Sequence, residues 1–332
     1  SDGAFDARPS ALDAPTWVRV QQAYQQEDTH LAKVIRTSKR TALGYFFHDN
    51  APPENMPTVP VSAYRVVRED PAKRGRAWVT SPYVVQNNIP MLASAARETG
   101  YFNLLVDSWD GTVRRIPLVR YVEGQMALPL SLAVLRTYQP HFDPVLSIDA
   151  FGVSGIAVGN THIPVAEDGT LLINYRGPAK TLPHVSAAAV LDGQVSPEVL
   201  AGKIVLIGVT ATAVADMRVT PFDEWFPGVE IHATVVDNIL QGDFIQQPRW
   251  MIIVEIGVLA MCVLGLGGSL RVLRGIYAAG AALMGIGGYL AGSQWLFVSH
   301  GLSLTMVYPL LAILLTYIGG AMLHYLTEER EK

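Results

Sequence analysis

Hydrophobic and polar positions divide this chain unevenly. Beyond Trp250, three apolar runs of 21 to 25 residues follow one another: Trp250–Leu270, Gly275–Val298 and Leu302–Leu326. Between Trp250 and Leu326 the only Asp, Glu, Lys or Arg residues are Glu255, Arg271 and Arg274. A helix rises about 1.5 Å per residue, so even the shortest run reaches ~30 Å, the hydrocarbon thickness of a bilayer. The pattern predicts three transmembrane helices, at residues 250–270, 275–298 and 302–326, with the lipid bilayer as a partner.

Before Trp250 the apolar stretches are short and broken by turn signals. Asp28–Ile35 predicts a helix and Thr41–Phe47 a strand. Asn50–Pro60, with its four prolines, reads as an exposed loop. Tyr101–Val106 and Val113–Tyr121 flank Asp107-Ser108-Trp109-Asp110-Gly111 and predict a β-hairpin, since glycine accepts the positive φ such a turn requires. Leu128–Leu135 predicts a helix, with Pro129 placed to start it. Two further hairpins are expected, one turning at Gly159-Asn160 between Ile156–Val158 and His162–Val165, the other at Asp168-Gly169 before Leu171–Tyr175. Ser186–Leu191 predicts a short helix, and Ser196-Pro197-Glu198 opens another. Lys203–Val209 is a continuous apolar run of the kind found in strands buried on both faces. Val229–Leu240 carries apolar residues at 229, 231, 235, 236, 239 and 240, a helical spacing. Residues 1–249 therefore form a mixed α/β domain.

Composition agrees with this division. Charged residues are 16% of the chain, below the roughly 25% of soluble domains. A net charge of −4 and the lack of a basic stripe argue against nucleic-acid binding. The single cysteine, Cys262, lies in an apolar run, so no disulfide identifies the compartment of residues 1–249. Orientation comes from the loops. Arg271 and Arg274 join the first two runs, Ser299-His300-Gly301 has no Lys or Arg, and the tail Thr327–Lys332 holds two basic residues. The positive-inside rule places the arginine loop and the tail in the cytoplasm, leaving residues 1–249 outside it. An exported domain needs a signal; the start Ser1-Asp2-Gly3 carries none, so a cleaved signal peptide or a first transmembrane helix is expected upstream.

Gly288 and Gly292 form a small-xxx-small pair in the second run, suited to close packing among the three helices or to a dimer contact. Glu255 lies about one turn inside the outer interface, shallow enough to meet water or headgroups, although intramembrane acids often serve function.

No catalytic set emerges. Gly152-Val153-Ser154-Gly155 misses the nucleophile elbow by one position. Gly208 opens neither a dinucleotide fingerprint nor a P-loop, which removes the usual signals for a cofactor. The eight histidines show no metal-ligand spacing. Candidate ligand-binding residues remain. Asp216, Arg218 and Thr220 follow the apolar run 203–209, at the strand-end position where open α/β sheets bind ligands. Asp216 and His232 equally suit hydrogen bonds that hold the loop and helix in place. Arg114 and Arg115 follow a turn and point to opposite faces. Asn103 and Asp107 share one strand face, as polar contacts or turn caps.

Several of these motifs, taken in order, resemble one family. Gly202-Lys203-Ile204-Val205-Leu206-Ile207-Gly208-Val209-Thr210, Asp216, Thr220-Pro221 and Pro227-Gly228-Val229-Glu230-Ile231-His232-Ala233 resemble the second type of CHASE domain, an extracellular sensory module of bacterial cyclases and kinases. Asn174-Tyr175-Arg176-Gly177-Pro178 and the stretch from Asp107 to Pro117 are also similar to it. The resemblance runs from about Thr29 to the C-terminus and is most specific between Asn174 and Phe244. It implies an extracytoplasmic sensor domain followed by three closely spaced transmembrane helices in a bacterial cytoplasmic membrane. It also implies a preceding transmembrane helix and strand-helix-strand unit, neither seen in this sequence, so the fold is expected to be incomplete. The cytoplasmic effector it implies is most often a class III adenylate or guanylate cyclase, otherwise a histidine or serine/threonine kinase, with Glu328–Lys332 as the start of the connector. Cyclase sites form between two catalytic domains, so the resemblance implies a homodimer that binds an extracytoplasmic ligand or protein. The competing readings are a structural or docking subunit for a partner protein and, without motif support, a membrane-anchored hydrolase.

Overall fold

The computed structural model describes residues 14–48, 61–69, 84–122, 124–139, 141–210, 216–272 and 275–330. Asn50–Pro60, Arg274 and the first residues, on which expectations were placed, lie outside that set. The chain divides into two units, Ser1–Phe244 and Ile245–Lys332.

The first unit opens with α1 (Ala14–Ser38), which contains the predicted helix, and β1 (Ala42–His48), which overlaps the predicted strand Thr41–Phe47. Next come β2 (Val66–Glu69), β3 (Val84–Gln86), α2 (Pro90–Ala95), β4 (Glu98–Tyr101), β5 (Arg115–Pro117), β6 (Arg120–Val122), β7 (Gln125–Ala127) and α3 (Leu130–Tyr138). The unit continues through β8 (Val145–Asp149), β9 (Gly152–Val158), β10 (Thr161–Ile163), β11 (Thr170–Leu172), α4 (Ala187–Leu191), α5 (Pro197–Leu200), β12 (Met217–Arg218), β13 (Phe226–Pro227) and α6 (Gly228–Gln241). One sheet has the order β3-β1-β4, with β4 parallel to β1 and β3 antiparallel. A second runs β10-β9-β8-β2, and β11-β5, β12-β13 and β6-β7 form two-stranded pieces. Mixed α/β is the class observed.

The helices form where their apolar spacing brings one face inward. Leu132 and Leu135 of α3 are fully buried, as are Ile231 and Val235 of α6, and they join one core with Ile116, Leu118, Leu146, Ile156 and Leu171. Burying each such side chain contributes about 1.5–3 kcal/mol. Against this core the unit buries an ion pair. The Arg136 guanidinium donates to the Glu98 carboxylate and, at 3.1 Å, to the Ala63 carbonyl, tying α3 to β4 and to the strand-flanking segment before β2.

Both predicted Asp-Gly turns are present, but their flanking strands pair elsewhere. Gly111 and Gly169 take φ of 73° and 77°, values that a side chain would strain. The Gly111 N–H reaches the Asp107 carbonyl at 2.9 Å, and the Ala166 N–H reaches the Thr170 carbonyl at 2.8 Å. Yet of the expected strand Tyr101–Val106 only Tyr101 lies in a strand, at the end of β4, which joins β1 in parallel, and β5 pairs with β11. Of the first hairpin the described residues keep the isolated bridge Leu105–Arg115 and the bond from the Asp107 N–H to the Thr112 carbonyl at 3.0 Å. The β9-β10 hairpin forms as expected.

Lys203–Val209 is a further correction. The run forms no strand, and Ile207 is 91% exposed. A strand buried on both faces needs hydrogen-bonding neighbours on both edges, and the described residues provide none for this run.

The second unit comprises α7 (Met251–Val272), α8 (Gly275–His300) and α9 (Val307–Arg330). Where three spans were expected, two helices are long and apolar enough to cross a membrane, over Met251–Gly268 and Ala279–His300; the apolar part of α9 among the described residues covers the shorter Val307–Met322. Leu266, Ala282 and Ile313 form the contact of the three helices. Most other large side chains, among them Ile253, Leu264 and Leu283, face outward, as they would toward lipid. Gly288 and Gly292 have no neighbour within 4 Å of where a Cβ would stand, so within this chain they do not mediate the predicted helix packing.

Candidate functional site

The first unit contains a cavity of about 1,670 Å³. One side is built by Ser38–Gly44 and Phe102–Leu104, another by Leu130 and Val134 of α3, and a third by Leu200–Val209 and the start of α6. Its walls are apolar where the two helices and β1 face it. Lys39, Arg40, Arg97, Lys203 and Arg218 line it, with Asp216 the carboxylate among the lining residues.

Four of the sequence-predicted residues meet at this cavity: Asn103, Asp216, Arg218 and His232. Asn103 is used structurally. Its Oδ1 accepts from the Phe47 N–H at 2.8 Å and its Nδ2 donates to the Phe47 carbonyl at 2.9 Å, which extends the β1-β4 pairing past the end of β4. Asp216 accompanies the first turn of α6: its carbonyl accepts from the Gly228 N–H at 2.9 Å, and a Cβ on Gly228 would stand 2.6 Å from its carboxylate. Burial raises the Asp216 pKa, and the nearby Arg218 opposes the shift. The Arg218 guanidinium lies 3.6 Å from that carboxylate, and its Nε is buried without a partner.

His232 sits on α6 and is buried. Its Nε2 lies 3.1 Å from the Phe102 carbonyl, so that nitrogen carries the hydrogen. Its Nδ1 is a bare acceptor without a partner. Burial pushes its pKa down to about 4, only partly offset by the Phe102 hydrogen bond. The imidazole is therefore neutral at physiological pH.

The other four lie elsewhere. Arg114 forms a fork with Asp110, at 2.9 and 2.6 Å, and reaches Asp107 at 3.2 Å. This cluster closes the 107–111 turn, and the Arg114 hydrogen bonds hold the Asp110 carboxyl well below the usual carboxylate range. Arg115 belongs to the β5-β11 pair. Thr220 is buried, with its hydroxyl 3.0 Å from the Asp223 carbonyl that it bonds, and it fixes the loop between β12 and β13.

Several polar anchors were missed by sequence reasoning. Glu230, buried on α6, accepts from the Lys180 N–H at 3.0 Å and the Leu182 N–H at 3.3 Å. Asn238 pairs with both backbone groups of Asn174, at 3.0 and 2.9 Å. Arg176 bonds Asp237 at 2.7 Å and also reaches Asp243. For Glu230 and Asn238 the signal was a polar residue on the buried face of an apolar helix, as Asn238 stands between Val235 and Ile239; Arg176 lies outside the helices. No cluster of metal-ligating residues occurs among the described residues.

A family model described as the CHASE2 domain matches residues 4–270. No curated protein and no solved structure matches the chain.

Proposed function

This chain belongs to the CHASE2 domain family, an extracellular sensory domain of signalling proteins, and from that footing we propose that it is the input module of a membrane receptor. Residues 1–249 would lie outside the cytoplasm, with α7, α8 and α9 all in the bilayer and the C-terminal end inside. The observation that carries this reading is the family match over residues 4–270, which takes in most of the apolar helix α7 and is followed by the apolar α8 and α9. The outward-facing Ile253, Leu264 and Leu283 support a lipid environment. For α9, the predominantly apolar sequence Leu302–Leu326 supports a third crossing, since ~20 apolar residues span the hydrocarbon core.

The cavity is the proposed receiving site. Five cationic side chains against one carboxylate favour an anionic effector. A bound effector shifts a conformational equilibrium only by its differential affinity for the two states, so the site must differ in shape between them. The proposed output is a homodimeric class III cyclase, a reading that rests on family resemblance alone.

Topology tests the reading most directly. Protease added to sealed, right-side-out vesicles should cut the loop around Trp109, which is 94% exposed, and spare the end of α9. Cleavage at Glu328–Arg330 with protection of Trp109 would reverse the orientation and end the sensor reading. An in-frame cyclase domain encoded after Lys332 would support that effector, and a kinase domain there would replace it.

A further inference from the structure

Within the second unit, the segment that enters α7 is bonded to the connection between α8 and α9. The Gln246 N–H donates to the Gly301 carbonyl at 2.8 Å, and the Ser303 N–H donates back to the Gln246 carbonyl at 3.1 Å. These two bonds make a parallel bridge between Gln246 and Leu302. Thr305 is held at both of its backbone groups. Its N–H donates to Glu255 Oε1 at 2.8 Å, and its carbonyl accepts from the Tyr289 hydroxyl at 2.7 Å. Glu255 belongs to α7 and Tyr289 to α8, so the residue two positions before α9 is bonded to both other helices.

Glu255 is thus more than a shallow acid tolerated near water. A backbone N–H in apolar surroundings must find an acceptor, and a carboxylate makes the stronger, charge-assisted kind of bond. The covalent path adds a second constraint. Only Ile245 separates Gln246 from Phe244, a buried core residue of the first unit. Through the peptide chain alone, a displacement of Gln246 would act on α7. With these bonds in place it also acts on Gly301 at the end of α8 and on Thr305 at the start of α9.

We propose that Gln246, Glu255, Tyr289 and the segment Gly301–Thr305 form a coupling clamp, which distributes movement of the exit segment over all three helices. Glu255 and Tyr289 are its positioning residues. The proposal rests on the sensor reading and states how the signal enters the helices.

The test uses the full chain, with Cys262 replaced by serine, in nanodiscs of phosphatidylcholine and phosphatidylglycerol. Spin labels at Y277C on α8 and M322C on α9, both outward-facing, report the distance between the far ends of these helices. V106W, which fills the cavity from its lining, supplies the perturbation in the first unit. The expected result is a change in the distance distribution on V106W that is lost in E255A and in Y289F and restored in E255Q, which keeps the acceptor oxygen. Exchange of the Thr305 amide should accelerate ~10-fold or more in E255A, the equivalent of one lost hydrogen bond, while the Val235 amide in the first unit keeps its protection. A V106W response that persists undiminished in E255A overturns the clamp and leaves the sensor reading standing. Silence of both V106W and R218A in the otherwise unaltered chain would overturn the sensor reading itself.

Discussion

Replacing His232 by glutamine tests the electrostatics of the cavity wall. The imidazole is buried, and its pKa falls from an ordinary 6.5 to about 4 because burial disfavours the charged form. Between those two values the unfolded chain binds a proton that the folded chain does not. Stability from this group is therefore complete above pH 6.5, declines as the pH falls toward 4, and is level below that. The linkage relation gives a loss of about 2 kcal/mol between pH 7.5 and pH 5, approaching about 3 kcal/mol below pH 4. Asp216 has the opposite sign: burial raises its pKa, so protonation favours the folded state as the pH drops. Comparison with H232Q removes that contribution, because Asp216 is common to both proteins. Glutamine retains an N–H donor for the Phe102 carbonyl and adds no titrating group. The assay is pulse proteolysis in urea on the full chain in detergent micelles, at pH 7.5, 6 and 5. The unaltered protein should lose about 2 kcal/mol more than H232Q between the extremes. Equal losses, or a histidine resonance titrating near 6.5 at this position, would refute the burial argument.

Three other outcomes follow from the packing. Replacing Arg136 by methionine leaves the buried Glu98 carboxylate to the exposed Arg65 guanidinium at 4.0 Å and should cost about 3–5 kcal/mol, whereas R136M combined with E98L should cost less, since the buried pair is then removed together; urea midpoints of the variants decide it. Gly100→Ala should destabilise by about 1–3 kcal/mol, because a Cβ there would stand 2.5 Å from the Leu130 Cα and backbone cannot rotate away; loss of Glu98–Tyr101 amide protection would show β4 parting from α3. Leu132→Ala, at a fully buried position, should cost about 2–5 kcal/mol, read as a lowered thermal midpoint without loss of helical signal.

The candidate site was only half visible beforehand. Asp216 and Arg218 were grouped in one loop and Asp216 was paired with His232, yet nothing in their spacing placed Asn103 within reach of the other three. Arg114 and Asp107 carried the same polar signal and turned out to close a local turn. Polar side chains in turns and in pockets look alike until the backbone route is known, because an Asp or Arg satisfies its hydrogen bonds equally well in either place.

What could be read from residue order was local. Periodicity located α6 and the apolar helices, and Asp-Gly pairs located turns, because both depend on dihedral freedom and side-chain spacing within a few residues. Pairing was readable this way for the β9-β10 hairpin but not beyond it: of the expected strand Tyr101–Val106 only Tyr101 joined a sheet, at the end of β4 beside β1, β11 selected β5, and Lys203–Val209 found no partner among the described residues. Any extended segment offers the same N–H and C=O groups to its neighbours, so the choice among partners rests on which faces the assembled core can bury. The same reason kept the bond from Thr305 to Glu255 out of sight until the helices stood side by side.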